Sequence, residues 1–198
     1  EHTGVRIDTD ALAAYSKALT QRLADIERAC IDLAGIQFNV GSPAQVGEVL
    51  FDKLKIDEKA KKTKTGQYST TEEVLEKLSG KHPIVGKILE FRKIKKLLST
   101  YVNALPELIN PHTGKIHTTY NQTVTATGRL SSTNPNLQNI PIRNDDGREI
   151  RKAFIPDDGH SFFSADYSQI ELRIVANISK DEALVEAFLA GEDIHRAT

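Results

Sequence analysis

The sequence predicts an α+β protein in which a long antiparallel helix pair with a small helical tip precedes a set of extended segments. Between residues 12 and 33, apolar side chains recur every three or four positions, which is the period of an amphipathic helix. A second stripe of this kind runs from residue 84 to residue 101. After Pro106 the period is lost, and β-branched stretches alternate with long polar ones. Two long helices with matching apolar stripes bury them by packing against each other.

Capping signals predict where the helices begin and end. The first long helix is expected to start at residues 8–10 and to stop at Gly35, which suits a left-handed terminal residue. Residues 42–45 form a capping box with proline in the first helical position, and residues 70–73 form a second one. The helix that the second box opens is expected to close at Gly80. These shorter helices are expected to form the tip of the pair.

Two segments of the second half are expected to form strands. Residues 115–123 are rich in β-branched side chains. Residues 161–168 have the pattern of a buried strand that ends at an acid, and a helix is expected over residues 169–178. The residues expected on the buried face of that helix are Ile170, Ile174 and Ile178.

The composition is that of a globular protein, with 39% apolar and 27% charged residues among 198. No apolar run approaches the ~18–20 residues that a membrane-spanning helix needs, and no signal peptide opens the chain, so we expect a cytoplasmic protein. Cys30, the single cysteine, cannot form an internal disulfide, and we expect it to pack within the first apolar stripe. The chain has no methionine and stops without a terminal signal, which suggests a fragment.

Charge is divided unevenly along the chain. Residues 53–96 contain 13 basic and 6 acidic side chains, whereas residues 153–198 contain 3 basic and 9 acidic ones. The first segment suits a polyanion and the second suits cations, although solvated helix faces are the simpler alternative. Four lysines lie within residues 59–64, close to hydroxyl groups and a helix N-terminus, which suits phosphate oxygens. A flexible solvated loop remains the alternative for this segment.

Two further features suggest binding. Residues 127–141 hold amides, hydroxyls and one arginine with few apolar anchors. Such groups can bind base edges and sugars in a DNA minor groove, where acceptors are common to all base pairs. A long polar surface loop is the alternative, although loops of this length are often functional. Asp166 ends a predicted strand, which is a common position for a ligand of a hard cation and also for a turn-forming residue.

Three stretches closely resemble the family A DNA polymerases in residue type, order and separation. These stretches are TGRLSS at 127–132, PNLQNIP at 135–141 and DYSQIELR at 166–173. Residues 62–66 and 98–101 extend the resemblance, so that it covers essentially the whole chain. The resemblance implies a thumb subdomain over residues 1–105. It also implies the N-terminal part of a palm subdomain over residues 106–198, an incomplete antiparallel sheet with helices, without the fingers and the rest of the palm.

The activity that the resemblance implies is template-directed DNA synthesis in replication and repair. Such an enzyme transfers a nucleotide from a dNTP to a primer 3′-hydroxyl with the help of two Mg²⁺ ions. Asp166 matches the first of two catalytic aspartates that hold the ions, and the backbone carbonyl of Tyr167 matches a further metal ligand. The implied nucleotide-binding residues are Tyr167, Gln169, Glu171 and His195. Glu171 would exclude a 2′-hydroxyl and so reject ribonucleotides.

The resemblance also implies contacts with primer–template DNA that hold the duplex without reading its sequence. The matching positions are Lys62, Lys64, Ser69, Arg92, Lys96, Arg129, Asn136, Gln138, Asn139 and Arg143. Gly41 departs from the family pattern, which often has an asparagine there. The DNA contact made from that position is therefore left open.

The second metal-binding aspartate of the family, and the lysine-bearing helix that grips the triphosphate, would lie beyond Thr198. We therefore expect the isolated chain to be inactive and to retain no Mg²⁺. The parent protein would be a monomeric polymerase of the bacterial cytoplasm, associated with the nucleoid. A non-catalytic module that binds duplex DNA is the alternative from a different class, and a helical scaffold without DNA affinity is a third. The parent reading frame would decide between them.

Overall fold

The computed structural model describes residues 1–63, 66–142 and 144–191 of the chain. Two compact units are present, the first over residues 1–159 and the second beginning at residue 160. The first combines helices with two small sheets, and the second contains two helices in the part that is described. This confirms the predicted α+β class. None of the described helices has the length and apolarity needed to cross a membrane.

Helix α1 spans Thr9–Ala34, the bounds that its capping signals predict. Asp8 is the N-cap, and its side chain accepts a hydrogen bond from the Ala11 amide (2.9 Å). Gly35 ends the helix in the left-handed region with a φ of 64°, where a Cβ would add strain. Its amide donates to backbone oxygens of the last turn. Local signals therefore determine both ends of α1.

Helix α4 spans Pro83–Leu97, with proline in its first turn, and continues without a break as a π-helical segment, Leu98–Val102. His82 is its N-cap, and the ring nitrogen Nδ1 accepts a hydrogen bond from the Ile84 amide (3.2 Å). An imidazole thus takes the part that Ser, Thr, Asp or Asn usually has. The apolar stripe predicted from residue 84 to residue 101 lies on one continuous helical rod.

The two long helices pack antiparallel, as predicted. Ser16, in the first half of α1, donates to Asn103 just after α4 (2.8 Å), and Arg22 further along α1 pairs with Glu90 (2.9 Å). Their apolar stripes form the core between them. Buried members from the two helices are Leu12, Leu19, Ile26 and Cys30, and Ile84, Ile88, Phe91 and Ile94. Burial raises the pKa of the Cys30 thiol to about 11, which agrees with a packing role.

Short helices form the tip of the pair. Their bounds are Pro43–Gly47 for α2, Glu48–Lys53 for the π-helical segment that continues it, and Glu72–Leu78 for α3. The first predicted capping box is only half confirmed. The Ser42 hydroxyl accepts from the Gln45 amide (3.5 Å), but the Gln45 side chain accepts from the Asn39 amide (2.6 Å) and not from Ser42. Gln45 therefore ties the preceding turn to α2.

The second predicted capping box is wrong. Thr71 precedes α3 without a side-chain capping bond. The neighbouring Thr70 is buried, and its hydroxyl accepts a hydrogen bond from Arg92 on α4 (3.0 Å). A tertiary contact thus takes the hydroxyl that the local motif would use. The C-cap of α3 is Ser79, one residue before the predicted Gly80.

Two small antiparallel sheets complete the first unit. Strand β1, Arg6–Ile7, pairs with β4, Phe154–Ile155, and strand β2, Thr119–Asn121, pairs with β3, Ser131–Thr133. The strand predicted over residues 115–123 is therefore shorter than expected. Its earlier part makes isolated bridges to other segments, so no continuous ladder forms there.

Asp146 attaches a further helix to both long ones. That helix is α6, Asp145–Lys152, which contains Asp146 and follows the short helix α5, Ala104–Glu107. The Asp146 carboxylate accepts hydrogen bonds from the Tyr15 hydroxyl (2.9 Å) and the Arg22 guanidinium (3.0 Å), and lies 3.9 Å from the Lys93 ammonium. Burial, together with the bond to Asp146, raises the pKa of Tyr15, so this hydroxyl remains a donor at neutral pH.

The second unit departs from the sequence prediction. Its helices are α7, Ile170–Ser179, and α8, Glu182–Leu189. The buried strand predicted over residues 161–168 is wrong, because these residues form no strand and Phe163 is 91% exposed. The inward orientation predicted for Ile170, Ile174 and Ile178 is also wrong, since all three are exposed. Apolar faces are buried only where a second layer covers them, and no described sheet in this unit covers α7.

Gly147 in α6 and Gly86 in α4 are helical glycines in opposite environments. A Cβ on Gly147 would collide with the Pro141 backbone and lie 2.7 Å from the Pro141 side chain, whereas a Cβ on Gly86 would meet open space. We expect Gly147→Ala to lower the free energy of unfolding by about 1–3 kcal/mol through overpacking. Gly86→Ala should raise it by about 1 kcal/mol, because alanine is the better helix former. Denaturant unfolding measures both, and equal effects would contradict this close packing.

Candidate nucleic-acid interface

A groove of about 750 Å³ lies in the first unit, between α4 and the loop over residues 135–141, which we call the amide loop. Its polar and charged lining residues are Glu72, Arg92, Lys93, Lys96, Thr100, Asn136, Asn139 and Asn144. Two of the predicted DNA-binding residues, Arg92 and Lys96, enter it from α4. Two more, Asn136 and Asn139, enter it from the amide loop. The fold thus brings distant parts of the sequence to one surface.

The cationic wall of the groove follows from the packing of α4. Positions 92, 93 and 96 lie on one side of the helix because they are one, three or four residues apart, while Phe91 and Ile94 face the core. Lys96 is exposed and has no carboxylate partner among the residues described, whereas Lys93 lies 3.9 Å from the Asp146 carboxylate. Sequence reasoning missed Lys93, although its spacing of three from Lys96 could have indicated it. Lysine ammonium groups in this position suit phosphate oxygens.

Arg92 differs from its lysine neighbours because its guanidinium is engaged within the protein. It donates to both the backbone oxygen and the hydroxyl of Thr70. Partial burial lowers the pKa of Arg92, with the Glu72 carboxylate acting in the opposite direction, and the group remains charged. Arg92 therefore joins the wall of the groove to the start of α3. Part of its hydrogen-bonding capacity is already used there.

The amide loop is anchored by its apolar residues and exposes its amides. Ile140 is buried and Leu137 packs half-buried against the same core. Asn136, Gln138 and Asn139 are exposed. The Asn136 side-chain oxygen accepts from the Gln138 amide (3.0 Å), which leaves its NH₂ group as a donor toward the groove. Donors of this kind match the acceptors of the DNA minor groove.

The backbone of the amide loop is held by side chains from other segments. The Tyr101 hydroxyl donates to the backbone oxygen of Asn139 (2.6 Å). Arg151 donates from Nε to Pro141 (3.1 Å) and from Nη2 to Ile140 (3.1 Å). Sequence reasoning missed this use of Tyr101 and Arg151, because no local pattern connects residues so far apart.

The first half of the amide loop is held by hydroxyl groups. Thr118 donates to the backbone oxygen of Pro135 (2.7 Å), and the Ser132 hydroxyl accepts from the Leu137 amide (3.1 Å). Ser132 and Thr118 also bond to each other (2.6 Å) and are buried. The second serine of the TGRLSS stretch therefore has a structural contact with the PNLQNIP stretch.

The other predicted DNA-binding residues that the structure describes are not part of the groove lining. Arg129 and Gln138 are exposed, and Ser69 is half-buried. Lys62 is exposed at the tip, with its ammonium 4.7 Å from the centre of the Tyr68 ring. Lys64 and Arg143 lie outside the described residues. Of the eight predicted positions that the structure describes, it brings four together in the groove.

Gly41, which departs from the family pattern, lies where the structure leaves little space for a side chain. An ideal Cβ at this position would lie 2.5 Å from the Lys95 ammonium and 3.1 Å from the Asn39 side-chain oxygen. That oxygen accepts from the Gly41 amide (2.8 Å). In this chain a lysine ammonium occupies the space into which a side chain at position 41 would extend.

The predicted catalytic residues lie in the second unit. Asp166 and Tyr167 precede α7 and are exposed, Gln169 is half-buried, and Glu171 is exposed in the first turn of the helix. Among the described residues, no three His, Cys, Asp or Glu side chains lie close enough together to hold a metal ion. A single carboxylate leaves Mg²⁺ mostly hydrated, so the described residues do not fit a Mg²⁺ site on their own. His195 lies outside the described residues.

Comparison with known proteins shows the family to which this chain belongs. The model of the DNA polymerase family A matches residues 9–198, and the chain belongs to that family. Among solved structures, the POL domain of Pol1 from M. smegmatis in complex with DNA primer-template and dNTP is similar, with a TM-score of 0.85 and 45% identity. The match covers 97% of this chain and 34% of that one.

The individual relatives are bacterial DNA polymerases I. The chain is 55% identical to DNA polymerase I of Synechocystis sp., 53% to that of Geobacillus stearothermophilus and 50% to the thermostable DNA polymerase I of Thermus aquaticus. Each match covers 100% of this chain and 20%, 22% and 24% of the relative, respectively. The chain therefore spans about a fifth to a quarter of the length of these relatives.

Arg92 and Lys96 should respond differently to removal of their side chains. Arg92→Ala leaves the Thr70 oxygens without their donor, so we expect it to lower the free energy of unfolding by about 1–3 kcal/mol. Lys96→Ala removes an exposed side chain and should change this free energy by less than about 0.5 kcal/mol. Denaturant unfolding of both variants is the measurement. An Arg92→Ala variant with an unchanged free energy of unfolding would contradict a structural role for the Thr70 contact.

Proposed function

We propose that this chain is the duplex-holding part of a template-directed DNA polymerase. Residues 1–105 would form its thumb and residues 106–198 the N-terminal part of its palm. The observation that carries the proposal is the groove itself, which faces the cations of α4 toward the amides of the amide loop. The partners we propose are primer–template DNA and, for the longer enzyme, dNTP. Family membership and the DNA named for the similar solved structure support this choice.

The two walls of the groove would bind different parts of a duplex. Lys93 and Lys96 would neutralise phosphates, which gives affinity for any sequence. Asn136 and Asn139 would donate hydrogen bonds in the minor groove, where every base pair offers acceptors at equivalent places. Both contacts are indifferent to sequence, as copying of any template requires.

Nucleotidyl transfer is proposed for the longer polymerase and not for this chain alone. In it Asp166 would be one carboxylate ligand of Mg²⁺, with the Tyr167 carbonyl beside it, and Mg²⁺ would supply charge neutralisation on the phosphates. Gln169, Glu171 and His195 would lie around the nucleotide, with Glu171 against the sugar. The longer enzyme would be monomeric and act in the bacterial cytoplasm at the nucleoid.

A non-catalytic duplex-binding module is the second candidate. One observation favours it: the groove is built within residues 1–159, while the described residues supply no complete metal site. The reading frame that contains this chain distinguishes the two proposals. A second metal-binding aspartate and a lysine-bearing helix after residue 198 support the polymerase, and a frame without them supports the module.

Salt dependence of DNA binding tests the duplex-holding proposal. We expect about 4–6 phosphate contacts, hence a slope of log affinity against log salt of roughly −4 to −5. Replacing Lys62, Lys93 and Lys96 with alanine should flatten the slope by about 2–3 on unrelated duplexes, since each lost phosphate contact removes about 0.9.

The matched control is Lys77→Ala, because Lys77 is an exposed lysine paired with Glu73 on α3 that neither lines the groove nor belongs to the predicted DNA-binding residues. It should leave the slope unchanged. A slope that the triple variant also leaves unchanged would refute the assignment of these lysines to the interface.

The isolated chain should not extend a primer. Asp166 is the carboxylate proposed as a metal ligand, the described residues bring no group of three ligands together, and two-metal transfer requires ions that are bridged by further carboxylates. Primer extension with the purified chain, Mg²⁺ and four dNTPs measures this directly. Nucleotide addition that disappears in Asp166→Ala would show that the chain assembles a working site by itself.

A further inference from the structure

In the amide loop, backbone oxygens are hydrogen-bonded within the protein, whereas the polar side chains are exposed. Four of its backbone oxygens, those of Pro135, Asn139, Ile140 and Pro141, accept hydrogen bonds from side chains of other segments. Its polar side chains remain exposed, and two of them line the groove. The backbone is thus satisfied from within the protein, and the side-chain amides are left for a ligand.

Tyr101 and Arg151 hold the half of the loop that carries Asn139. Tyr101 lies at the end of the α4 rod, buried except for a few per cent of its surface, and reaches one backbone oxygen. Arg151 lies in the last turn of α6 and spans two successive backbone oxygens with its planar guanidinium. Two elements of the fold therefore fix three consecutive peptide groups.

We propose that Tyr101 and Arg151 are positioning residues for DNA binding, which act by fixing the direction in which the Asn139 amide enters the groove. This rests on the proposed duplex-holding function. Neither residue is required to touch DNA in this scheme. Without the hydrogen bonds from Tyr101 and Arg151 the loop keeps its apolar anchors at Leu137 and Ile140. Its amides must then be ordered at the moment of binding, which costs affinity.

Tyr101→Phe and Arg151→Ala test the proposal. Each removes the hydrogen bonds to the loop, and we expect each to raise the dissociation constant for a primer–template about tenfold, the factor that corresponds to a loss of about 1.4 kcal/mol. Arg151→Lys retains one possible donor and should recover part of the loss. Fluorescence anisotropy with a labelled primer–template over a series of salt concentrations provides the constants.

Arg148→Ala is the matched control for Arg151. Arg148 lies on the same helix, is exposed and pairs with Asp145 at 3.2 Å, so its removal should change the dissociation constant less than twofold. The salt slope distinguishes positioning from direct contact. Arg151→Ala should leave the slope unchanged, whereas a slope flattened by about 0.9 would mean that Arg151 binds a phosphate and would overturn the proposal.

A double-mutant cycle separates positioning from a general structural role. If Arg151 acts through Asn139, then Arg151→Ala should add almost nothing to the loss caused by Asn139→Ala. Losses that multiply would overturn the proposal, because a merely structural effect is independent of the amide. Denaturant unfolding confirms folding, and the isosteric Tyr101→Phe combined with Asn139→Ala provides the same test should Arg151→Ala unfold.

The experiments distinguish an error in the positioning proposal from an error in the proposed duplex-holding function. If the lysine variants flatten the salt slope but Tyr101→Phe and Arg151→Ala bind DNA like the unaltered chain, only the positioning proposal is wrong. If the unaltered chain binds no primer–template, both proposals are wrong.

Discussion

The antiparallel packing of α1 on α4 is the constraint on which the groove depends. Burial of Ile84, Ile88 and Ile94 against α1 fixes the rotation of α4 about its axis, because apolar burial is the dominant favourable contribution to folding. The opposite face, with Lys93 and Lys96, must then face outward. Exposed lysines contribute little to stability, so their charge is available to a ligand. The basic surface is thus a consequence of how the core is packed.

The exposure of the side-chain amides in the amide loop likewise follows from how its apolar residues pack. Leu137 and Ile140 point into the core, and backbone oxygens that approach the protein interior need donors. Tyr101, Arg151 and Thr118 supply those donors from elsewhere in the first unit. Among the side-chain amides that the structure describes in this loop, only that of Asn136 helps to hold the backbone, because its oxygen accepts from the Gln138 amide. What remains exposed is a set of donors whose backbone is already ordered, which lowers the entropy cost of binding.

Sequence alone predicts the parts of this structure that local physics determines. The bounds of α1 follow from its caps, and both apolar stripes follow from helical period. The capping role of Thr70–Thr71 fails because Arg92, 22 residues away, takes the Thr70 hydroxyl. The strand over residues 161–168 fails because a strand needs a partner that the described residues do not supply. The motif stretches identify the candidate binding residues, but the contacts of Tyr101 and Arg151 join distant segments and have no local signal.

Asp146 has a mechanical consequence for this surface. One carboxylate at the start of α6 receives donors from α1 and lies beside a cation of α4, while the other end of α6 carries Arg151 against the amide loop. Helix α6 therefore connects the two long helices to the loop. Both walls of the groove are thus attached to the same short helix, which sets the spacing between the cations of α4 and the amides of the loop.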